Sequence, residues 1–411
     1  MKRVLLGLLM MAVLTSGLFA KGAQEEESGV ITLTIMAPWA DGELAGFKPV
    51  MEAYEAENPG IKLEYVSGKP EDTATVLGSQ FSVGKTPADV IDTSFSWYIR
   101  EQGAAGHLLD FTDDFASDDF MAGAMDMVSV DGRAYGAPSV GGVTIAEYRK
   151  SFFKDNGLKD PTTLGSYDDF LDLIKEIQEI EGVEGAIGSG GGVGWTFTSV
   201  AETLILTFGG VDMHRGLTAG ELSWTDPSVK MIFMDYLLPL IQEGYYGEPD
   251  EFDAVIKAMW DGIHGVYIGD STDNMMLDPA LDRGVFLYPG QKGVVLWNDF
   301  WFAPKYTEHE VETRKLLKFL ATRGQEIQIS NGGRMGTYTK IPMESYPQSE
   351  REVFEVIKGV AVVPDMDDTI GGKFQATFWG QMGLVWSRPD EATLDSVLET
   401  LQSASEETLS K

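Results

Sequence analysis

ITLTIMA (residues 31–37), FKPVMEAYEAENPG (47–60), IKLEYV (61–66) and GKTPADVIDTS (84–94) together decide the fold. Ile31, Leu33 and Ile35 alternate along the first piece, the pattern of a strand with one face buried. Phe47, Val50, Met51 and Tyr54 recur at helical spacing in the second, and Asn58-Pro59-Gly60 stops that helix. The third piece reads as another strand. A polar helix then leads to a third strand, which is buried at Val90-Ile91. The order β-α-β-α-β implies a parallel sheet covered by helices, so the fold class is α/β.

Helices continue along the chain. Ser166 and Asp169 resemble a capping box, and Phe170, Leu173, Ile174 and Ile177 line the helix behind it. Leu316, Leu317, Phe319 and Leu320 mark a helix expected to end before the Asn331-Gly332-Gly333 turn, and Leu394, Val397, Leu398 and Leu401 mark an amphipathic C-terminal helix. A chain of 411 residues is long enough for two cores.

Lys2 and Arg3 precede the apolar run Val4–Leu14, and Leu18-Phe19-Ala20 offers a small residue for cleavage. Residues 1–20 are therefore expected to be a signal peptide and 21–29, KGAQEEESG, a linker. The chain has no cysteine, which excludes disulfides, thiolate metal sites and a lipid-modified N-terminus. An exported protein without a lipid tail is expected in a periplasm. The formal charge of −33 argues against nucleic acid or anionic lipid as partners.

Signatures of chemistry are weak. GSQFSVGKT (78–86) has the wrong glycine spacing for a phosphate loop, and it joins a helix to a strand rather than a strand to a helix. The glycines at 188–194 read as a loop. His107, His214, His264 and His309 lack zinc-site spacing. The pairs Asp113-Asp114, Asp118-Asp119 and Asp367-Asp368 read as turn and helix-start residues rather than as glycosidase carboxylates. No catalytic residue, metal or cofactor is expected.

The nine tryptophans carry more information. Trp39, Trp97, Trp195, Trp297, Trp301 and Trp379 stand among polar or loop-like neighbours, whereas Trp224, Trp260 and Trp386 read as core. An indole covers the C–H face of a sugar ring while nearby polar groups bond its hydroxyl rim.

An ordered series of segments carries a resemblance over nearly the whole chain. It runs from ITLTIMAPWADGE through GAAGHLLDFTDDF, DGRAYGAPSVGG, FFKDNGLKDPTTLGSYDDFLDLIKEI and FTSVAETLILTFGG to RKLLKFLATRGQEIQISNGGRMGTY. The chain resembles extracellular solute-binding protein family 1, the carbohydrate-binding components of ABC importers related to maltose-binding protein. Two segments depart from the family pattern, AEYRKSFF (146–153) and WDGIHGVYIGDS (260–271), both on the second lobe's cleft wall.

The resemblance implies a two-lobed, class II-like periplasmic binding-protein fold, each lobe a mostly parallel sheet flanked by helices, with the ligand cleft between lobes. Strands would cross near Pro138, Gly293 and Gly336, giving lobe 1 as 30–138 and 294–336 and lobe 2 as 139–293 and 337–411. By position, the implied ligand-binding residues are Trp39, Asp41, Ser96, Trp97, Trp195, Asp270, Trp297, Asn298, Asp299, Arg334 and Trp379. The implied function is capture of a sugar or oligosaccharide and its delivery, by a monomer, to an ABC permease. A cationic solute such as a polyamine is the alternative suggested by the acid excess, and an exported carbohydrate-active enzyme is a further one.

Overall fold

The computed structural model describes residues 30–410 except Ala40, Lys69, Ala122, Gly192, Val193, Pro279 and Gly333. The expected signal peptide and linker lie outside the described residues.

Ten strands form one sheet: β1 (Ile31–Ala37), β2 (Ile61–Ser67), β3 (Val90–Thr93), β4 (Gly136–Arg149), β5 (Ile187–Gly188), β6 (Val266–Asp270), β7 (Arg283–Phe286), β8 (Gly293–Phe302), β9 (Met335–Gly336) and β10 (Ala361–Pro364). The main order is β2-β1-β3-β8-β4-β6-β5, with β7 and β9 on β4 and β10 on β8. Strands β1, β2 and β3 are parallel, with Ile31 opposite Ile61 and Ile35 opposite Val90. Helices Asp41–Glu57 and Pro70–Phe81 supply the crossovers. Phe47, Val50 and Tyr54 are buried on the first of these, as their spacing predicts.

The middle of the sheet is antiparallel. Strand β4 runs antiparallel to β8 from Gly136 opposite Phe302 to Val143 opposite Leu296, then continues beside β6 and β7. All but the last of its 14 residues are buried, so both faces of the strand are covered and burial does not alternate along it. Near its centre Ser139 and Val140 oppose the single residue Asp299, a bulge that re-aims side chains at this point. Pro138 and Gly293 fall in β4 and β8, and Gly336 in β9, the short strand paired with β4 at Val140.

The apolar core is divided, and the division is the two-lobed architecture. One body surrounds β1–β3 with Leu33, Ile35, Phe47, Val50, Trp301, Leu316 and Leu317. Another joins Ile187, Val266, Ile268 and Phe286 to the helices of Phe170, Phe374, Phe378, Leu394 and Leu401. Between them Val143, Ile145, Val285, Val294, Leu296 and Met335 pack along the crossing strands. Ser166 caps helix Tyr167–Gln178 by accepting from Asp169 N, and the four predicted apolar residues of that helix are all buried. The helix expected to end before Asn331 instead includes Asn331 and Gly332, because Asn331 Nδ2 donates to Ile327 O at 2.7 Å within the last turn. No helix among the described residues is long and apolar enough to cross a membrane.

Candidate functional site

Arg334 sits just ahead of β9 and is only 4% exposed. Its Nη1 donates to Asp299 Oδ2 at 3.3 Å and its Nη2 donates to Glu43 Oε1. The guanidinium carbon lies 5.6 Å from the ring centre of Trp39 and 5.6 Å from that of Trp297. Two indoles and two carboxylates therefore fix one cation by ion pairing and cation–π attraction. Asp92 joins them from β3, where it stands opposite Trp301 of β8. It is 1% exposed, and neither carboxylate oxygen has a well-formed hydrogen bond. Ser139 faces it from the bulge, and its Oγ likewise lacks one.

Burial decides the protonation here. It holds the Asp92 carboxyl well above the usual carboxylate range, reinforced by the Asp299 charge and opposed by Arg334. Burial pushes Asp299 up to about 6 against the pull of Arg334. Asp270, at the end of β6, is raised by burial and then by Asp273, with Arg334 opposing. Asp368 is raised by burial and by Asp365, Asp367 and Asp299, so its charge reaches the same volume. One arginine thus faces several acids that are deprived of water.

The opposite wall comes from helices Met366–Ile370, Gly372–Ser387 and Trp195–Leu204. Asp367 Oδ2 accepts from Trp379 Nε1 at 2.8 Å and from Thr198 Oγ1 at 2.8 Å, and Gln375 Nε2 donates to Asp368 Oδ1 at 2.6 Å. Helix Ser96–Ala104 of the first lobe closes directly on this wall. Ser96 Oγ donates to Asp368 O at 3.1 Å, and Arg100 Nη2 donates to Thr369 O at 2.9 Å. The ring of Trp97 lies flush against Gly371, where a Cβ would stand 2.1 Å from Trp97 Cγ.

The predicted residues fall as follows. Trp39, Trp297, Asp299 and Arg334 meet in one group. Trp39 is 1% exposed, with its ring 4.6 Å from Phe47 and 5.5 Å from Trp301, so it also belongs to the first core. Asn298 is buried, donates to Asp299 O at 3.1 Å and leaves Oδ1 without a partner. Asp270 Oδ1 accepts from Thr272 N at 3.0 Å, and only a glycine at 142 leaves room beside it, since a Cβ there would lie 2.3 Å away. Ser96 and Trp97 form the seam, and the Trp97 and Trp297 indole N–H groups lack partners. Asp41 opens helix Asp41–Glu57, and its side chain lies outside the described residues. Trp195 begins the helix that carries Thr198, and its ring is 5.6 Å from Phe252; no contact among the described residues joins it to the Arg334 group.

Sequence reasoning missed Glu43, Asp92, Ser139, Arg100 and the roles of Asp367 and Asp368. The last pair does open a helix, as expected, but Asp367 is 2% exposed and bonded by side chains, unlike a solvated turn. Asp92 had a legible signal, an acid inside the otherwise apolar run Val90-Ile91. Of the tryptophans read as core, Trp224 and Trp386 are buried there, and Trp260 is partly buried with Arg149 over its ring at 5.0 Å.

Two divided cores joined by crossing strands, with polar groups and indoles gathered at the seam, define a hinged binding protein. The family model for bacterial extracellular solute-binding proteins matches residues 40–327. An uncharacterised ABC transporter extracellular-binding protein of Pyrococcus horikoshii is 38% identical over 408 residues, covering 97% of this chain and 96% of that one. The chain belongs to the bacterial extracellular solute-binding protein family, whose members bind solutes and are not enzymes. Among solved structures, the bacterial solute receptor AcbH, described as exclusively preferring β-D-galactopyranose, superimposes with a TM-score of 0.80 at 17% identity, covering 92% of this chain and 99% of that one. A chitin oligosaccharide binding protein gives 0.78 at 20% identity, covering 93% and 100%.

Trp379 offers a test of the second wall. Replacing it by alanine is expected to weaken ligand binding about 10- to 100-fold, from loss of a stacking face and of the bond to Asp367. Phenylalanine keeps a face and should recover part of the loss. Isothermal titration with any ligand that binds the parent protein measures both, and unchanged affinity in the alanine variant would remove Trp379 from the site.

Proposed function

We propose that this protein is exported to a periplasm, where as a monomer it captures a sugar or oligosaccharide between its lobes and presents it to the permease of an ABC importer. Lobe 1 would comprise residues 30–138 and 294–336, and lobe 2 residues 139–293 and 337–411. One observation carries the reading. Asn298 Oδ1 and the Trp97 and Trp297 N–H groups are buried around the seam without hydrogen-bond partners, and the buried Asp92 carboxyl has the Ser139 hydroxyl beside it. Buried polar groups in folded proteins are nearly all paired, so such a concentration suits a ligand that brings its own hydroxyls. The indole faces of Trp297, Trp97 and Trp379 suit its C–H faces. The ABC transporter named for the Pyrococcus relative and the sugars named for the two solved receptors support the same reading.

A cationic solute is the second reading, favoured by the excess of Asp92, Asp270, Asp299 and Asp368 over Arg334 around one volume. Thermal unfolding in the presence of mono-, di- and oligosaccharides, and of polyamines, separates the two, since a ligand that binds only the folded state raises the melting temperature. A sugar-induced rise that is insensitive to salt is the expected result. A rise with polyamines alone, falling steeply as ionic strength increases, would replace the sugar by an amine.

A further inference from the structure

We propose that Glu202, Asp365 and Asp367 form a site for a hard divalent cation of the calcium type, set beneath the contact between helices Met366–Ile370 and Ser96–Ala104. One carboxylate oxygen from each of the three lies within 4.8 Å of the others. Oxygens sharing one calcium ion at 2.3–2.6 Å stand at most about 5 Å apart, so the spacing fits a common ion.

Glu202 supplies a second observation. It projects from a different helix, Trp195–Leu204, and is 0% exposed. Its Oε2 accepts from Met366 N at 3.1 Å and lies 2.5 Å from His214 Nε2, while its buried Oε1 has no hydrogen-bond partner. A proton on Oε1 would find no acceptor, whereas a cation would satisfy the bare oxygen and neutralise all three acids together. No lysine or arginine among the described residues forms an ion pair with any of them.

The donor set selects the ion. Carboxylate oxygens suit calcium, magnesium or manganese, and the chain contains no cysteine for a soft metal. Calcium fits best because its flexible coordination tolerates an irregular site completed by water. The same Asp367 also holds Trp379 and Thr198, and the helix it opens presents Asp368 O and Thr369 O to Ser96 and Arg100. A cation here would therefore stiffen the wall on which the first lobe closes.

The test uses the whole protein after treatment with chelator. Calcium chloride should raise the melting temperature by at least about 3 °C beyond sodium chloride of equal ionic strength, and titration calorimetry should find one ion per chain. Terbium should show luminescence sensitised by a nearby tryptophan. The Asp365→Asn variant should lose the calcium response while melting in chelator at or above the parent temperature, and Glu202→Gln serves if that variant does not fold. A response no larger than that to sodium chloride, with flat calorimetry, overturns the proposal. Sugar binding in chelator would be untouched by that failure, so the two readings are tested separately.

Discussion

Replacing Arg334 by methionine is expected to lower folding stability at pH 7 by about 3–5 kcal/mol, the usual cost of removing one partner from a buried ion pair. Asp299 and Asp92 would be left in low dielectric without their counter-charge, and Glu43 and the two indoles would lose the group they hold. The pH dependence identifies the cause. The folded-state Asp299 carboxyl is raised to about 6 from an ordinary 3.8, so its contribution to stability is full below about 3.8 and is lost as pH rises through 6. Without Arg334 that carboxyl rises further. The deficit of the variant should therefore be largest at pH 7–8 and shrink on acidification toward pH 5, where protonation removes the unpaired charge. Urea denaturation at the two pH values measures it. A deficit below about 1 kcal/mol that does not change with pH would show that the guanidinium is not holding these acids.

Gly371→Ala should weaken ligand binding about 10- to 100-fold while leaving each lobe folded. Gly371 has φ 71° and ψ −164°, a region almost restricted to glycine, where other residues incur about 1–3 kcal/mol of strain. The added Cβ would also strike Trp97 at 2.1 Å. The strain burdens the second lobe in either form, but the clash arises only where the lobes meet, so the population of the closed form drops and apparent affinity drops with it, tenfold for each 1.4 kcal/mol. Titration calorimetry reads the affinity, and small-angle scattering of the liganded variant should show a larger radius of gyration. Parental affinity and parental compactness together would mean that the Trp97–Gly371 contact is not part of closure.

These two positions differ in how far the sequence announced them. Arg334 is placed by its resemblance to a family position, and the structure then joins it to Asp299 and Trp297, two of its predicted companions. Gly371 carries no signal, since a glycine after Thr369-Ile370 reads as an ordinary helix stop. Glu43, which receives the Arg334 guanidinium, lies two residues from the predicted Asp41. Asp367 and Asp368 open a helix as expected, but paired acids in a turn look solvated, so their burial is not legible in the sequence. Their burial comes from helices Trp195–Leu204 and Gly372–Ser387, the first of them far away in the chain.

What the sequence determined by itself is the set of elements and their class. Alternation in Ile31–Ile35, helical spacing in Phe47–Tyr54 and Phe170–Ile177, and caps such as Ser166 are local properties that neighbouring residues impose on the backbone. The tertiary structure alone decided which polar groups are dry and who faces them. Asp92, Ser139, Asp299 and Arg334 come from four separate stretches and meet only because β3, β8, β4 and β9 are adjacent in the sheet. Desolvation and charge coupling depend on distance through space, and chain order does not encode that distance.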